Sequence, residues 1–156
     1  MLARRYEALE HETKSLSAQI AILVGATCPA LLDLYGVGPE IAATLLVAAG
    51  DNAHRIRTEA AFARLCGVAP MDASSGRQVR HRLCRLGNRQ ANRALHTLVV
   101  VRLRSHEASR AYMARRLADG KTKKEVMRCL KRYVAREVFA TITHGAPDHR
   151  SIAFTA

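Results

Sequence analysis

At 156 residues, with 49% hydrophobic and 24% charged side chains, the chain is long enough to bury one core and too apolar to be mainly disordered. Its net charge of +12 is concentrated: Ala73 to Arg136 holds 18 Lys/Arg against three acids (Glu107, Asp119, Glu125), a balance of +15, which leaves −3 for the rest. Charge so localised excludes a basic balance spread evenly for solubility, and it fits either a surface that follows a phosphate backbone or a solvated helical face.

Leu2, Leu9, Leu16 and Leu23 recur every seven residues, with Tyr6, Thr13 and Ile20 on the alternate seam, so residues 2–24 carry the heptad pattern of a coiled-coil helix that ends at Gly25. Self-association through this helix and ordinary packing on its own domain both fit three heptads. Pro29 suits the first turn of a short helix, Ala30 to Tyr35. Gly36-Val37-Gly38-Pro39 follows, and then Glu40 to Ala49 with Ile41, Ala42, Leu45 and Leu46 at helical spacing. This order suggests a helix-hairpin-helix over residues 30–49. Its glycines permit a tight turn, and the open N–H groups of the second helix suit a phosphate oxygen. A glycine-rich turn packed in a core would use the same letters.

Thr58 is a candidate N-cap for Glu59 to Cys66, and Gly67 ends that helix. From Val68 to Arg85 the helical period fails; Pro70, Ser74, Ser75 and Gly76 cluster, and Gln78 to Leu83 partly alternates, which predicts a loop with a short β-hairpin. After Gly87-Asn88 a long helix is expected over Arg89 to His106, with Ala94, Leu95, Leu98, Val101 and Leu103 inward. A shorter helix over Ala108 to Ala118 stops at Asp119-Gly120. The capping box Thr122-Lys123-Lys124-Glu125 opens a last helix to Thr143, buried through Val126, Leu130, Tyr133, Val134 and Val138. The tail from His144 to Ala156 has no period and reads as flexible. The fold class expected is mainly α, with domains at 1–25 (end of the coiled-coil helix), 26–143 (main domain) and 144–156 (tail).

Among templates for chemistry, Ser74 and Ser75 stand beside Gly76 and are followed by Arg77, Arg80, Arg82 and Arg85. Guanidinium groups clamp phosphate oxygens, so a serine here can be a nucleophile toward phosphorus or simply a turn residue. No acidic cluster accompanies the serines, and His81 and His96 are bases only in principle. Cys28, Cys66, Cys84 and Cys129 form no C-x-x-C pair and read as small hydrophobes in a reducing cytosol. With no Trp, three Phe and four Tyr, base stacking has little material. No apolar run reaches the length of a membrane span and the amino terminus lacks a signal-peptide core, so a cytoplasmic protein without a membrane partner is expected.

Taken in order, Leu34-Tyr35-Gly36-Val37-Gly38-Pro39 with Ala42 and Ala43, Phe62 to Pro70, Ser75-Gly76-Arg77, Arg85-Leu86-Gly87-Asn88-Arg89 and Arg93-Ala94-Leu95 resemble the carboxy-terminal domain of one transposase family. These are the bacterial insertion-sequence transposases of the 110/116/902 group, which pair a ribonuclease-H-like domain of DEDD type with a serine-bearing domain and are guided by a structured bridge RNA. The resemblance covers residues 30–142. It implies DNA as partner, a structured guide RNA as a second, and Ser75 as the nucleophile that links covalently to DNA, with Ser74 as the alternative register. Gly36 and Gly38 would lie in the family's hairpin element; Arg77, Arg80, Arg82, Arg85, Arg89 and Arg93 are candidate phosphate contacts by charge and proximity. The family's magnesium is held by acids of the ribonuclease-H-like domain, so no metal site is expected within this chain. The resemblance also suggests a truncated or detached piece that begins inside the coiled coil, and the alternative reading is a non-catalytic helix-hairpin-helix module that binds nucleic acid.

Overall fold

The heptad segment forms one continuous helix, α1 (Leu2–Thr27), in a computed structural model that describes residues 1–50, 56–72, 81–82 and 86–145, with only the backbone of Asp72, His81 and Arg82. Five further helices follow among the described residues: α2 (Pro39–Ala49), α3 (Glu59–Leu65), α4 (Arg89–Ser105), α5 (Glu107–Ala118) and α6 (Lys123–His144). The protein is mainly helical, as its periodicities predict. Strands β1 (Met71–Asp72) and β2 (His81–Arg82) are two residues each and pair antiparallel, Met71 with Arg82 and Asp72 with His81.

Gly25 does not end the first helix. The helix runs two residues further and stops at Cys28, whose extended backbone (φ −155°, ψ 77°) is what a following proline enforces, since Pro29 disfavours the α region in its predecessor. The short helix expected over Ala30 to Tyr35 is also absent as such. Pro29–Leu31 forms a 3-10 turn, held by Leu31 N–H to Cys28 O (3.2 Å) and Leu32 N–H to Pro29 O (2.9 Å). The window between a proline and Gly36 is too short for the i to i−4 ladder to establish itself, and the tighter 3-10 pattern takes its place.

α4 and α6 form the centre. Ala91, Ala94, Leu95, Leu98 and Val99 of α4, and Val126, Leu130, Val134, Ala135 and Val138 of α6, are all buried. Of the residues expected inward, Val101, Leu103 and Tyr133 are only half-buried. α2 packs on α1 and α4, α3 on α6, and α5 on both α4 and α6. Tyr112 of α5 meets Tyr133 of α6 edge-to-face at 5.5 Å between ring centres, a favoured aromatic geometry.

The caps explain the helix boundaries. Thr58 accepts a hydrogen bond from Ala61 N–H (3.2 Å), Asn88 accepts from Gln90 and Ala91 N–H (2.9 and 3.0 Å), and Thr122 with Glu125 completes the predicted capping box. Gly145, at φ +70°, closes α6 in the left-handed region. α1 meets the body only near its carboxy-terminal end, where Val24 is buried and Ile20 is half-buried. Its heptad residues Leu2, Tyr6, Leu9, Leu16 and Leu23 are exposed.

Candidate nucleic-acid interface

Gly36 and Gly38 build the turn that leads into α2. Gly36 has φ +81°, a conformation that L side chains rarely adopt, and a Cβ there would lie 3.1 Å from Val101 Cγ1 and 3.2 Å from Leu98 Cδ1. The turn is therefore seated directly on α4. Gly38 is the N-cap of α2 without any side-chain cap, and Pro39 at the first helical position has no N–H to satisfy.

A buried ion pair fixes the turn from below. Arg102 of α4 donates from Nη1 and Nη2 to Glu137 Oε2 and Oε1 of α6 (2.6 and 3.1 Å), and from Nε to the Tyr35 carbonyl (2.9 Å). The two side chains are 4% and 9% exposed, so the fork-to-fork geometry compensates two charges taken out of water. His106, at the end of α4, stacks against Tyr35 with ring centres 4.8 Å apart, and its Nδ1 lies 2.8 Å from Ser109 Oγ. Burial, aided by the Arg102 charge, holds its pKa below the ordinary 6.5, while Glu137 pulls weakly the other way.

At the other end of α4 the backbone before and after the serine-bearing segment is drawn together. A Cβ on Gly87 would fall 2.5 Å from Gly67 Cα, so only glycine permits this backbone approach. Asn88 N–H donates to Leu65 O (2.6 Å), and Asn92 Nδ2 donates to Cys66 O and Gly67 O (2.8 and 3.1 Å). Lys131 of α6 then donates from Nζ to Asn92 Oδ1 (2.8 Å). Cys66 itself is fully buried, and burial pushes its thiol up to about 12, which makes it a core residue without nucleophilic character.

The candidates from sequence are distributed unevenly over this frame. Ser74, Ser75, Arg77, Arg80 and Arg85 lie outside the described residues, as do Cys84 and the tail beyond Gly145; for Arg82 and His81 only the backbone pairing in β2 is described. Arg89 and Arg93 are exposed in the first turns of α4, and His96 is exposed one turn on. Gly36 packs some ten residues further along the same helix, so the glycine turn and these arginines sit about 15 Å apart along its axis. They do not form one cluster.

Sequence reasoning passed over Asn92, Arg102, Lys131 and Glu137. The signal was present: Arg102 falls four residues after Leu98 on the buried face of α4, and Glu137 falls one turn from Val134 and Thr141 on that of α6. A charged residue at an apolar position of a helical period announces a buried partner. Among the described residues no three His, Cys, Asp or Glu side chains are placed to hold a metal ion. Among them, too, no helix is long and apolar enough to cross a membrane.

The domain is mainly helical, its central helix begins with two exposed arginines, and its basic segment runs from Ala73 into α6. The comparison with known proteins gives the family. The model for the transposase IS116/IS110/IS902 family matches residues 28–114, and the chain belongs to that family. It is also 35% identical, over 147 residues, to the insertion element IS110 uncharacterized 43.6 kDa protein of Streptomyces coelicolor. That match covers 92% of this chain and 36% of the relative, so the chain spans about a third of that protein's length.

Proposed function

We propose that this chain is the DNA-binding and strand-transfer portion of an insertion-sequence transposase, with Ser75 as its nucleophile. In this reading the Ser75 oxygen forms an ester with the scissile phosphorus, a DNA end leaves as a hydroxyl, and the serine proton is given up as the bond forms. Arg77, Arg80, Arg82, Arg85, Arg89 and Arg93 hold the phosphate oxygens, and a structured RNA selects the site. Magnesium enters only as an ion held by the carboxylates of a ribonuclease-H-like domain, and α1 joins two copies through its uncovered heptad stripe.

The observation that carries the reading is the close base of the serine-bearing segment. Gly67 and Gly87 touch through their backbones, and the next helix opens at once with Asn88 and two exposed arginines. A nucleophile needs a fixed origin for its loop and cations within reach, and a close base with arginines beside it supports this reading. The test is a covalent adduct. The chain is combined with a ribonuclease-H-like domain of the family, magnesium, bridge-type RNA and target DNA, and protein that stays on DNA through denaturation is measured. Loss of the adduct in Ser75→Ala with retention in Ser74→Ala is the expected result; the reverse moves the register by one, and no adduct despite bound DNA and RNA ends the nucleophile assignment.

A second reading, a binding module without chemistry, is favoured by one feature: the Gly36–Gly38 turn opens α2 with no side chain spent on its first N–H groups. Gly38→Asp would place a carboxylate against any phosphate there. A drop in duplex affinity with an unchanged melting temperature supports a phosphate role for the turn, and unchanged affinity removes it.

A further inference from the structure

Lys131 is the one lysine in the buried set, at 7% exposure, and its described partner is the neutral Asn92 Oδ1. An amide oxygen takes one of three ammonium donors and cancels no charge. Burying a cation without an anion costs several kcal/mol, so a chain that keeps such a group needs something to offset it. Charge around it makes the cost larger. Burial pushes the Lys131 pKa down, and Arg128, one turn earlier on α6, pushes it the same way. Arg89 lies one turn before Asn92 on α4, and Arg93 is its neighbour.

Among the described residues no acid relieves this end of the helix pair. α4 contains none. The two acids of α6 are committed elsewhere, Glu125 to the Thr122 cap and Glu137 to Arg102. Glu59 of α3 is taken by Arg132 and Arg136. Among the described residues Arg89, Arg93, Arg128 and Lys131 form no ion pair, and the three arginines are exposed. The amino-terminal end of α4 adds its dipole to the same place.

We propose that the Asn92–Lys131 end of the α4–α6 pair is a phosphodiester-binding site, in which the Lys131 ammonium and the Arg128 guanidinium join Arg89 and Arg93 on the backbone of a nucleic acid. Lys131 and Arg128 are residues that charge counting along the sequence did not single out. The site rests on the nucleic-acid-binding part of the proposed function and not on the serine chemistry. It also lies where the two ends of the serine-bearing segment meet, since Asn92 bonds both Lys131 and the Cys66 and Gly67 carbonyls. A phosphate bound there would be held by the same side chains that fix that base.

The experiment is the salt dependence of binding by the full chain, measured in parallel on a DNA duplex and on an RNA hairpin of the same sequence. Each lost phosphate contact lowers the slope of log K against log salt by about 0.9 on duplex, and weakens binding roughly eightfold at about 0.1 M salt. Arg128→Gln and Lys131→Gln are each expected to show that loss, and Lys131→Arg to restore most of it. Arg128 is exposed, so its variant keeps the question answerable even if Lys131→Gln fails to fold. Loss on DNA alone, on RNA alone or on both supports the site and says which backbone it takes. Wild-type binding whose slope is unchanged in Arg128→Gln and in folded Lys131→Gln overturns this site alone. A wild-type chain with no salt-dependent binding to either polymer overturns the site together with the reading on which it rests.

Discussion

The two ends of the α4–α6 pair treat a buried cation in opposite ways. At one end Arg102 meets Glu137 in a bidentate pair and spends its third donor on the Tyr35 carbonyl, so charge and hydrogen bonds are both satisfied inside the chain. At the other, Lys131 is almost as deeply buried, yet its described partner is an amide and its charged neighbour is another cation. A neutralised buried charge is a structural device, whereas at the Lys131 end the proposed phosphate would supply the anion.

Glu137→Leu sharpens this comparison most. It strands Arg102 in the interior and is expected to cost about 3–5 kcal/mol of stability in chemical denaturation. The double variant Arg102→Met with Glu137→Leu removes both charges. It should recover most of that, short by about 1 kcal/mol for the Tyr35 carbonyl left without its donor. Equal loss in single and double variants would mean that the packing around the pair, and not its charge, matters.

Next in size is Gly87→Ala at the uncompensated end. The added Cβ meets Gly67 backbone, which cannot rotate away, and a cost of the order of 2 kcal/mol is expected in the melting curve. Asn88→Ala, which loses two cap hydrogen bonds and no backbone space, should cost about 1 kcal/mol. A reversed order would mean that the two glycines do not hold the base of the segment.

A smaller effect tests the neutralised end by pH. The folded-state pKa of His106 is depressed below 6.5, so between the two values the unfolded chain binds more protons than the folded one. Stability from this group is complete above about pH 6.5 and is lost as pH falls through the depressed value. The melting temperature should drop on acidification below that point, and the drop should shrink in His106→Gln. A pH profile identical in the variant would remove His106 from the account.

The smallest effect on stability belongs to α1. Leu9→Glu with Leu16→Glu replaces two exposed side chains, 44% and 51% accessible, and should leave the melting of the body within about 0.5 kcal/mol of wild type. Its effect is expected in light scattering, where the species of higher mass is lost. A wild-type chain that is monomeric at all concentrations would leave the heptad stripe without a second copy as its partner.

Much of the fold was legible because its signals are local. The capping box at Thr122 and Glu125, the N-caps at Thr58 and Asn88, and the stripes of α4 and α6 depend on residues three or four apart, which a helical period exposes directly. Gly25 misled because a glycine is a weak helix breaker inside a strong pattern, and Pro29 decided the end instead. The Ala30 to Tyr35 segment misled for a related reason, since apolar spacing does not distinguish a 3-10 turn from a helix of six residues.

The candidate site was legible only in its charge. Ordered motifs along the sequence settled the family, the helical class and the basic stretch from Ala73 to Arg136, all of which follow from residue types near each other in the chain. Which cations are neutralised was decided by tertiary contacts: Arg102 finds an acid 35 residues away, and among the described residues Lys131 finds the amide of Asn92, 39 residues away. Charge is additive along a sequence, but compensation depends on distance in space, and only the packing of α4 on α6 sets that distance.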